Sequence, residues 1–421
     1  MYWDQTPLTF TLRPHQQRSL DAMARHSKGQ VIVPTGGGKT FIMIRHALRL
    51  LADGPQTIVV VAPRILLANQ LCEEFMQQID STYAHVCHVH SGETDHFSTT
   101  KSDKIALFNN TARVAGESCI IFTTYHSLSR VIDSGIDIDC AYFDEAHNSV
   151  TRNFFVPVAA CSEVSARTYF FTATPRFSRR HDRGMNNTKV YGQVIENVPA
   201  PELISNGSII PPKVVAFETD AVRNKVTAPQ VDADTVVSII DSLKEDHSAK
   251  ILVAAPTTKI MWRMLSQSDL IARLKERDYH VLHITSKHGA YIDDQKVNRE
   301  HFFKTLTEWG KDDSKKYVVF HYSILSEGIN VPGLTHTILL RNLNIVEMAQ
   351  TIGRVIRVDK QDAKAIASGS IVPGKFAMYR KPCGFVSVPV HSNHGQQTIG
   401  RLQRVVDAIF VDGVPPLSLV S

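Results

Sequence analysis

The sequence has few cysteines. Six occur among 421 residues, and no two of them have the CxxC spacing of zinc sites and redox pairs. They are Cys72, Cys87, Cys119, Cys140, Cys161 and Cys383. This scatter is typical of reduced thiols in a cytosolic protein. Several of the six cysteines lie in apolar runs, where cysteine acts as a small buried hydrophobic residue.

The sequence also lacks long hydrophobic runs. None approaches the roughly 20 residues that a membrane-spanning helix needs. The first ten residues have neither the basic region nor the apolar core of a secretory signal. We therefore expect a soluble, cytoplasmic protein with no membrane partner.

Neither sign of charge is in strong excess. Lys and Arg number 46 and Asp and Glu number 41, so the formal net charge is +5. Such a surplus permits a polyanionic partner but does not require one. Hydrophobic residues make up 43% and charged residues 21%, which is ordinary for a globular protein and excludes a disordered chain.

Short β-branched runs alternate with longer amphipathic segments. Strands are predicted at 30–33, 57–62, 119–123, 141–143 and 168–172, and again at 250–255, 280–284, 317–321, 337–340 and 385–390. Runs this short and apolar are typical of strands buried on both faces of a parallel sheet. The segments between them, such as 65–78, have helical spacing. The alternation predicts doubly wound α/β domains.

The α/β pattern occurs twice, separated by residues 195–212. This segment is rich in proline and glycine, a composition that marks a connection between domains. We therefore predict two domains, 1–204 and 205–421, each large enough for its own core. Residues 176–188 contain four arginines and are predicted to form an exposed basic loop.

A glycine-rich segment follows the first predicted strand. It reads Pro34, Thr35, Gly36, Gly37, Gly38, Lys39, Thr40. Successive glycines let backbone N–H groups face phosphate oxygens, and the helix that follows presents its positive N-terminus. Lys39 would reach the β- and γ-phosphates, and the Thr40 hydroxyl would bind Mg²⁺. The pattern GxxxxGK[ST] requires glycine where Val33 stands, and a tight strand-to-helix turn is the alternative.

An acidic pair follows the strand predicted at 141–143. Ligands of open parallel sheets bind beyond the carboxyl ends of strands, which would bring Asp144 and Glu145 near the phosphates. Asp144 suits a Mg²⁺ shell, and Glu145 suits the orientation or deprotonation of the attacking water. His147 could couple this site to a neighbouring loop. The alternative is a helix N-terminus with two favourable acids.

The second half of the chain contains two arginines three residues apart. If residues 350–357 are helical, Arg354 and Arg357 share a face, preceded by Gln350. An arginine that reaches a γ-phosphate from another domain can accelerate hydrolysis by about 10³- to 10⁵-fold. A surface helix with two solvated arginines is the alternative. Upstream, Glu327 and Gly328 lie in a polar loop that could meet ATP.

These segments, in this order, resemble the motifs of superfamily 2 helicases of the DEAD/DEAH-box type. Residues 34–40 are similar to motif I, 144–147 to motif II, 171–175 to motif III and 350–357 to motif VI. Residues 254–257 and 327–332 are weaker matches to motifs IV and V. The segment 12–16 is similar to the adenine-reading segment, which implies that Arg13 and Gln16 bind the base.

The resemblance implies two tandem RecA-like domains of the P-loop NTPase type, with ATP and Mg²⁺ in a cleft between them. Thr172 and Thr174 would couple the nucleotide state to the grip on a nucleic-acid strand. Contacts with that strand are implied for Pro63, Arg64, Gln70, Ser91, Gly92, Thr124, Tyr125, Thr257 and Thr285. For Thr124 and Tyr125, a plain strand end is the alternative.

Within the superfamily, residues 12–16 and 124–128 are similar to DNA motors. These include restriction-enzyme motor subunits and phage recombination and branch-migration helicases. The resemblance implies an ATP-driven DNA helicase or translocase acting in recombination, repair or replication, with a possible partner subunit that supplies specificity. An RNA helicase and a slowly hydrolysing, nucleotide-gated clamp stay open as alternatives.

Overall fold

The computed structural model describes residues 12–80, 83–180, 182–243, 249–285, 287–322, 331–392 and 395–420. Packing divides the chain into two compact units. Unit 1 runs to Val198 and includes the segment that starts at Leu417, and unit 2 is Pro199–Pro416. The predicted boundary near residue 205 lies a few residues beyond this division.

Unit 1 alternates strands and helices. Its strands are β1 (Lys28–Ile32), β2 (Thr57–Ala62), β3 (Ala84–Val89), β4 (Phe97–Ser98), β5 (Ser118–Thr124), β6 (Cys140–Phe143), β7 (Thr168–Thr172), β8 (Arg176–Ser178) and β9 (Gln193–Asn197). Its helices are α1 (Pro14–Arg25), α2 (Lys39–Ala52), α3 (Ile65–Met76), α4 (Ser102–Val114), α5 (Leu128–Ile132), α6 (Arg152–Val164) and α7 (Thr188–Tyr191).

The described strands of unit 1 form one parallel sheet, except β8 and the last strand of the chain, Ser418–Val420, which pair with each other. The strand order in the sheet is β4-β3-β5-β2-β6-β7-β1-β9. Every residue of β2, β5, β6 and β7 is buried, because helices cover both faces of such a sheet. The five strands predicted from the first half of the sequence are all present. Parallel strands place their carboxyl ends along one edge of the sheet.

Unit 2 begins with α8 (Ala200–Ser205). Its strands are β10 (Pro212–Thr219), β11 (Lys250–Ala254), β12 (His280–Thr285), β13 (Gly289–Ile292), β14 (Gln295–Val297), β15 (Tyr317–His321), β16 (His336–Leu339) and β17 (Gly384–His391). Its further helices are α9 (Ala228–Ser242), α10 (Thr258–Gln267), α11 (Leu270–Lys275), α12 (Arg299–Lys311), α13 (Ile345–Val355), α14 (Lys360–Ala367) and α15 (Gln396–Val406).

The sheet of unit 2 is parallel except at one edge. The strand order is β10-β17-β16-β11-β15-β12-β13-β14. Strands β13 and β14 form an antiparallel hairpin on β12. The five strands predicted from the second half are present, and the predicted α/β class with two parallel-sheet domains is confirmed.

Two predicted connections are more ordered than expected. Residues 195–212 contain the end of the edge strand β9, helix α8 and the start of β10. Residues 176–188 contain β8, which pairs in parallel with the last strand, Ser418–Val420. Met185 of the same segment is buried in the core, whereas Arg179 and Arg180 are exposed. Pairing with distant strands therefore orders segments whose local composition indicates loops.

Two further features concern the described helices and the cysteines. Among those helices, none combines the length and apolar character needed to cross a bilayer. All six cysteines are free thiols, and all but Cys383 are buried.

Candidate active site

The predicted catalytic residues of unit 1 lie along one edge of its sheet. Strand β1 leads into the glycine-rich loop, β6 leads into Asp144, and β7 ends at Thr172. The order β6-β7-β1 makes these three strands neighbours. Their carboxyl ends therefore form a continuous site, in the position where open parallel sheets bind ligands.

The glycine-rich loop adopts a backbone conformation that glycine permits. Gly36 and Gly38 have φ angles of 88° and 85°, in the left-handed region. Gly37 N donates a hydrogen bond to Pro34 O at 3.0 Å, which closes the turn. Helix α2 begins at Lys39, so its unpaired N-terminal amides point toward the loop. This is an anion-binding arrangement.

Helix α1 supports the loop and brings the predicted base-reading segment to it. The His15 ring nitrogen Nε2 lies 2.8 Å from Gly37 O. A Cβ added at Gly38 would lie 2.7 Å from Gln16 Nε2. Gln16 Oε1 accepts a hydrogen bond from Arg13 N at 3.0 Å. His15 has no place among the predicted site residues, because a histidine on a helix carries no distinctive sequence signal.

Lys39, Glu145 and His147 form a chain of side-chain contacts. Lys39 Nζ lies 3.5 Å from Glu145 Oε1, and His147 Nδ1 lies 3.5 Å from Glu145 Oε2. The three side chains are 10%, 12% and 4% exposed, so these contacts are shielded from water. Glu145 has φ 45°, a left-handed conformation that is costly for a residue with a Cβ.

Asp144 has an environment that suits a metal ligand. Burial and, to a smaller extent, the neighbouring Glu145 raise the pKa of its carboxyl to about 7, against the opposing effect of Lys39. Its Oδ1 is buried and has no hydrogen-bond partner among the described residues. A carboxylate oxygen in this state is unfavourable unless a cation or donor meets it. Mg²⁺ binds through one or two carboxylates together with water and phosphates, so Asp144 and the Thr40 hydroxyl fit it.

His147 joins the acidic turn to the end of β7. Its Nδ1 lies 3.0 Å from Thr172 Oγ1 and 3.2 Å from Thr174 Oγ1. Thr174 N donates to Thr172 Oγ1 at 3.0 Å. Asn148 Nδ2 lies 3.3 Å from His147 Nε2 and donates to Glu145 O at 3.0 Å. The structure thus connects the residues predicted for catalysis with those predicted for coupling, and adds Asn148 to the network.

The predicted strand contacts of unit 1 follow three other neighbouring strands. Strands β3, β5 and β2 are adjacent in the sheet, next to β6. Arg64 and Ser91 are exposed beyond the ends of β2 and β3. A Cβ added at Gly92 would approach Ile65 Cγ2 to 2.4 Å, so the loop after β3 packs directly on the start of α3. These two loops form one surface.

The other residues of unit 1 that are predicted to contact the strand are buried in the unit or make hydrogen bonds within it. Pro63, Thr124 and Tyr125 are buried, and Gln70 donates a hydrogen bond one helical turn along α3. The Tyr125 hydroxyl donates to Asp144 O at 2.9 Å, and its ring stacks on Phe154. The side chain of Tyr125 therefore supports the Asp144 turn from the core, and the strand contact predicted for this residue stays a prediction.

In unit 2, helix α13 carries Gln350 and Arg354, which are 8% and 5% exposed. The helix ends at Val355, so the prediction that Arg354 and Arg357 share a helical face is corrected. Arg357 lies beyond the helix, where its backbone pairs with Ile209. It is half-buried.

Two predicted contacts of unit 2 lie at the ends of helix α10 and strand β12. Thr257 is exposed and caps α10, accepting a hydrogen bond from Ile260 N at 3.1 Å. Thr285 is buried, and its Oγ1 accepts from His288 N at 2.7 Å. The predictions for Glu327 and Gly328 fall outside the described residues.

Two protein families match the chain in succession. Residues 9–177 match the family described as "Type III restriction enzyme, res subunit". Residues 233–359 match the "Helicase conserved C-terminal domain". The first match covers the phosphate loop and the acidic turn, and the second covers α13.

One curated relative and two solved structures show the same organisation. The ATP-dependent DNA helicase uvsW of Enterobacteria phage T4 is 21% identical over 390 residues, covering 90% of this chain and 72% of its own length. The ATP-dependent Type ISP restriction-modification enzyme LlaBIII, solved bound to DNA, has a TM-score of 0.66 at 16% identity. The alignment covers 98% of this chain and 31% of LlaBIII, so the chain spans about a third of that enzyme.

A second solved structure is similar over almost the whole of both chains. S. cerevisiae Dbp5, solved bound to RNA and ADP BeF3, has a TM-score of 0.52 at 16% identity, covering 96% of this chain and 89% of Dbp5. At such identities the likeness shows the fold alone. One matching family spans the phosphate-loop unit and the other spans the unit that carries α13, and together these matches support a superfamily 2 helicase, a nucleic-acid-dependent ATPase.

Proposed function

We propose that this protein is an ATP-driven DNA translocase or helicase. The observation that carries the proposal is the continuous contact chain from Lys39 through Glu145 and His147 to Thr172 and Thr174. This contact chain links Lys39 and Glu145, which suit phosphate chemistry, with the end of the β-strand β7. A change at the γ-phosphate can thereby alter a hydrogen-bond network away from the nucleotide.

Within unit 1, each residue has a separate task in hydrolysis. Lys39 exchanges its 3.5 Å contact with Glu145 for phosphate oxygens when ATP binds. This releases the Glu145 carboxylate to orient the attacking water and take its proton. Thr40 and Asp144 hold Mg²⁺, which when bound supplies neutralisation of phosphate charge. Gln16 and Arg13 recognise the adenine.

Unit 2 supplies the remaining catalytic groups in this proposal. We propose that Gln350, Arg354 and Arg357 complete the γ-phosphate environment of bound ATP. Guanidinium groups suit this role because they stay charged and bind phosphate oxygens in a planar fork. Loss of the γ-phosphate would then remove these contacts and change how the protein binds the nucleic-acid strand.

The choice of DNA rests on the relatives. The name of uvsW describes a DNA helicase, and LlaBIII was solved bound to DNA. The exposed Arg64 and the backbone of the loop at Ser91 and Gly92 suit contacts with phosphates and sugars, which carry little sequence information. Roles in recombination, repair or replication are part of the proposal, as is a partner subunit that supplies specificity.

The test is the ATPase rate with no polymer, single-stranded DNA, branched DNA and single-stranded RNA. Lys39→Ala is the control, because it removes the phosphate ligand. We expect strong stimulation by DNA, greatest for branched forms. Stimulation by RNA alone would assign the protein to RNA remodelling. No stimulation would favour a nucleotide-gated clamp or a missing partner.

A further inference from the structure

The antiparallel hairpin on the sheet of unit 2 carries an unusual row of side chains. In the register of β12, β13 and β14, His283 stands opposite Tyr291, and Tyr291 stands opposite Lys296. Residues directly opposite in a sheet project from the same face. One face of this sheet edge therefore presents an imidazole, a phenol ring and an ammonium group side by side.

Helix α10 adds a tryptophan to this row. The rings of Trp262 and His288 stack with centroids 4.1 Å apart and planes 10° apart. The rings of His283 and Tyr291 stack at 4.7 Å and 13°. Trp262 also contacts His283 and Tyr291, at 6.1 Å and 6.0 Å between centroids. We call these four side chains the aromatic platform.

The aromatic platform is open to solvent at its margin. His283 is buried, and burial lowers its pKa to about 4, so its ring is neutral at physiological pH. Trp262, His288 and Tyr291 are only half-buried. A cluster that served packing alone would lie inside the core, as the large aromatic side chains of β5, β6 and β7 do.

Positive charge lies on the segments that carry the aromatic platform. Lys259, Arg263, Lys287 and Lys296 stand on α10, on the loop after β12 and on β14, all exposed or half-buried. Within the described parts of the chain, these four make no salt bridge.

The two acids of the hairpin lie in its turn, and each is paired with a cation. Asp293 contacts His280 at 2.6 Å, and Asp294 contacts Lys275 at 2.5 Å. Outside this turn, the charged side chains on the segments that carry the rings are all positive. Ring faces beside cations without carboxylate partners are the combination with which proteins bind single-stranded nucleic acid.

The aromatic platform adjoins the predicted strand path. Thr285, a predicted contact, accepts a hydrogen bond from the backbone of His288. Thr257, the other predicted contact, caps the helix that carries Trp262. A strand that passes these two threonines would bring its bases to the rings.

We propose that the aromatic platform stacks a nucleobase of an unpaired strand bound to unit 2. This inference rests on the proposed function and extends it, since it requires the enzyme to hold single-stranded segments by their bases as well as by their phosphates. Stacking accepts any base, so the site gives affinity for unpaired strands without sequence preference.

Tryptophan fluorescence tests the proposal in the full-length chain. The sequence has three tryptophans, at positions 3, 262 and 309. The double variant Trp3→Phe/Trp309→Phe leaves Trp262 as the reporter, and the matched control Trp3→Phe/Trp262→Phe leaves Trp309. Both are titrated with oligo-dT, with oligo-U of equal length and with blunt duplex DNA. We expect oligo-dT or oligo-U to quench Trp262 while duplex does not, and the Trp309 signal to stay unchanged.

The outcomes separate this inference from the proposed function. If DNA stimulates the ATPase and Trp262 emission does not respond to any single strand, the stacking site is overturned and the motor function stands. If Trp262 is quenched without ATPase stimulation, the stacking site stands, and the result favours a nucleotide-gated clamp or a missing partner over a self-sufficient motor. Equal quenching of Trp262 and Trp309 would indicate a global change and would also overturn the stacking site.

A substitution gives a second readout. Tyr291→Leu keeps an apolar side chain but removes the ring, and we expect single-strand binding at fixed salt to weaken by about tenfold. Trp309→Leu removes a ring outside the platform and should leave that affinity unchanged. Equal affinities of the two variants would contradict the proposal.

Discussion

At the scale of single residues, the Lys39 and Glu145 contact determines what the site can do before ATP arrives. At 3.5 Å in a shielded pocket, each side chain neutralises the other. A phosphate can replace the carboxylate beside Lys39, since both are anionic oxygen ligands. Glu145 then still contacts His147, which contacts the coupling residues. Loss of the γ-phosphate would change this network of contacts.

Glu145→Gln removes the base and keeps the shape of the side chain. We expect ATP to bind with near-normal affinity and kcat to fall by about 10²- to 10⁴-fold, the usual contribution of a general base. Equilibrium binding of ATP and single-turnover hydrolysis separate the two effects. Near-normal turnover would remove Glu145 from the role of base.

Asp144 makes the stability of the nucleotide-free protein depend on pH. Its pKa is about 7 in the fold, against an ordinary value of 3.8. Between these values the folded protein retains a proton that the unfolded chain has released. The free energy of unfolding therefore falls as pH rises from about 4 to about 7. The decrease is at most about 1.4 kcal/mol per pH unit, and the free energy levels off above pH 7.

Asp144→Asn should abolish this pH-dependent part, because asparagine does not titrate. We expect the variant to gain stability relative to the parent, by a few kcal/mol in order of magnitude, between about pH 4 and about pH 7. Urea unfolding without Mg²⁺ at several pH values measures the difference. A constant difference across the window would show that Asp144 keeps an ordinary pKa.

At the scale of elements, the end of α13 depends on a lysine outside it. Lys381, just before β17, donates from Nζ to Arg357 O at 2.9 Å and to Leu334 O at 2.6 Å. Burial lowers the pKa of Lys381 to about 7, yet the amine donates in either protonation state. One side chain thus ties the turn after α13 to the segment before β16.

Lys381→Met removes both hydrogen bonds while keeping the length of the side chain. Because two backbone acceptors lose their partner, we expect the free energy of unfolding to fall by about 2 to 4 kcal/mol. If the Arg357 turn is catalytic, kcat should also fall while KM for ATP changes little. Lys381→Arg is the control that retains a donor. A loss of stability with unchanged kcat would separate Lys381 from catalysis.

The predicted elements were central strands, and the missed ones lie mostly toward sheet edges. The strands β2, β5, β6 and β7 are apolar throughout, so composition reveals them. The edge strand β10 has only half-buried and exposed residues, and β9 is mostly exposed. Such segments become strands through pairing with a neighbour, and pairing is absent from local composition.

At the scale of the whole molecule, the positions of positively charged side chains determine how the protein binds a polyanion. The net charge is only +5, so binding relies on where cations stand more than on their total. In our proposal they include Arg64 in unit 1 and the cations beside the aromatic platform in unit 2. A bound strand would be held by several phosphate contacts spread over the chain.

We therefore expect DNA affinity to fall steeply with salt, linearly in a log–log plot, because bound counterions are released from the phosphates. Arg64→Ala should reduce the slope by about one, whereas Arg179→Ala, on an exposed loop outside the proposed path, should not. Binding measured by fluorescence anisotropy across a salt series provides both slopes. Equal slopes for the two variants would remove Arg64 from the strand path.

The sequence by itself determined the phosphate loop, the acidic turn and the two-domain α/β class. These features are local: three glycines before Lys39, two acids after an apolar strand, and apolar runs separated by helical spacing all occur within short windows. Their physical chemistry depends on neighbouring residues along the chain, so composition and order suffice to identify them.

Only the tertiary structure decided how these parts support one another. In the folded chain, Tyr125 lies in the core and contacts Asp144, and His15 contacts Gly37. Helix α13 ends before Arg357. Trp262 contacts His288 and Tyr291. The reason is that burial and side-chain contact join residues far apart in the sequence. Whether a tyrosine faces a ligand or the core depends on which distant elements cover it, and that information exists only once the chain has folded.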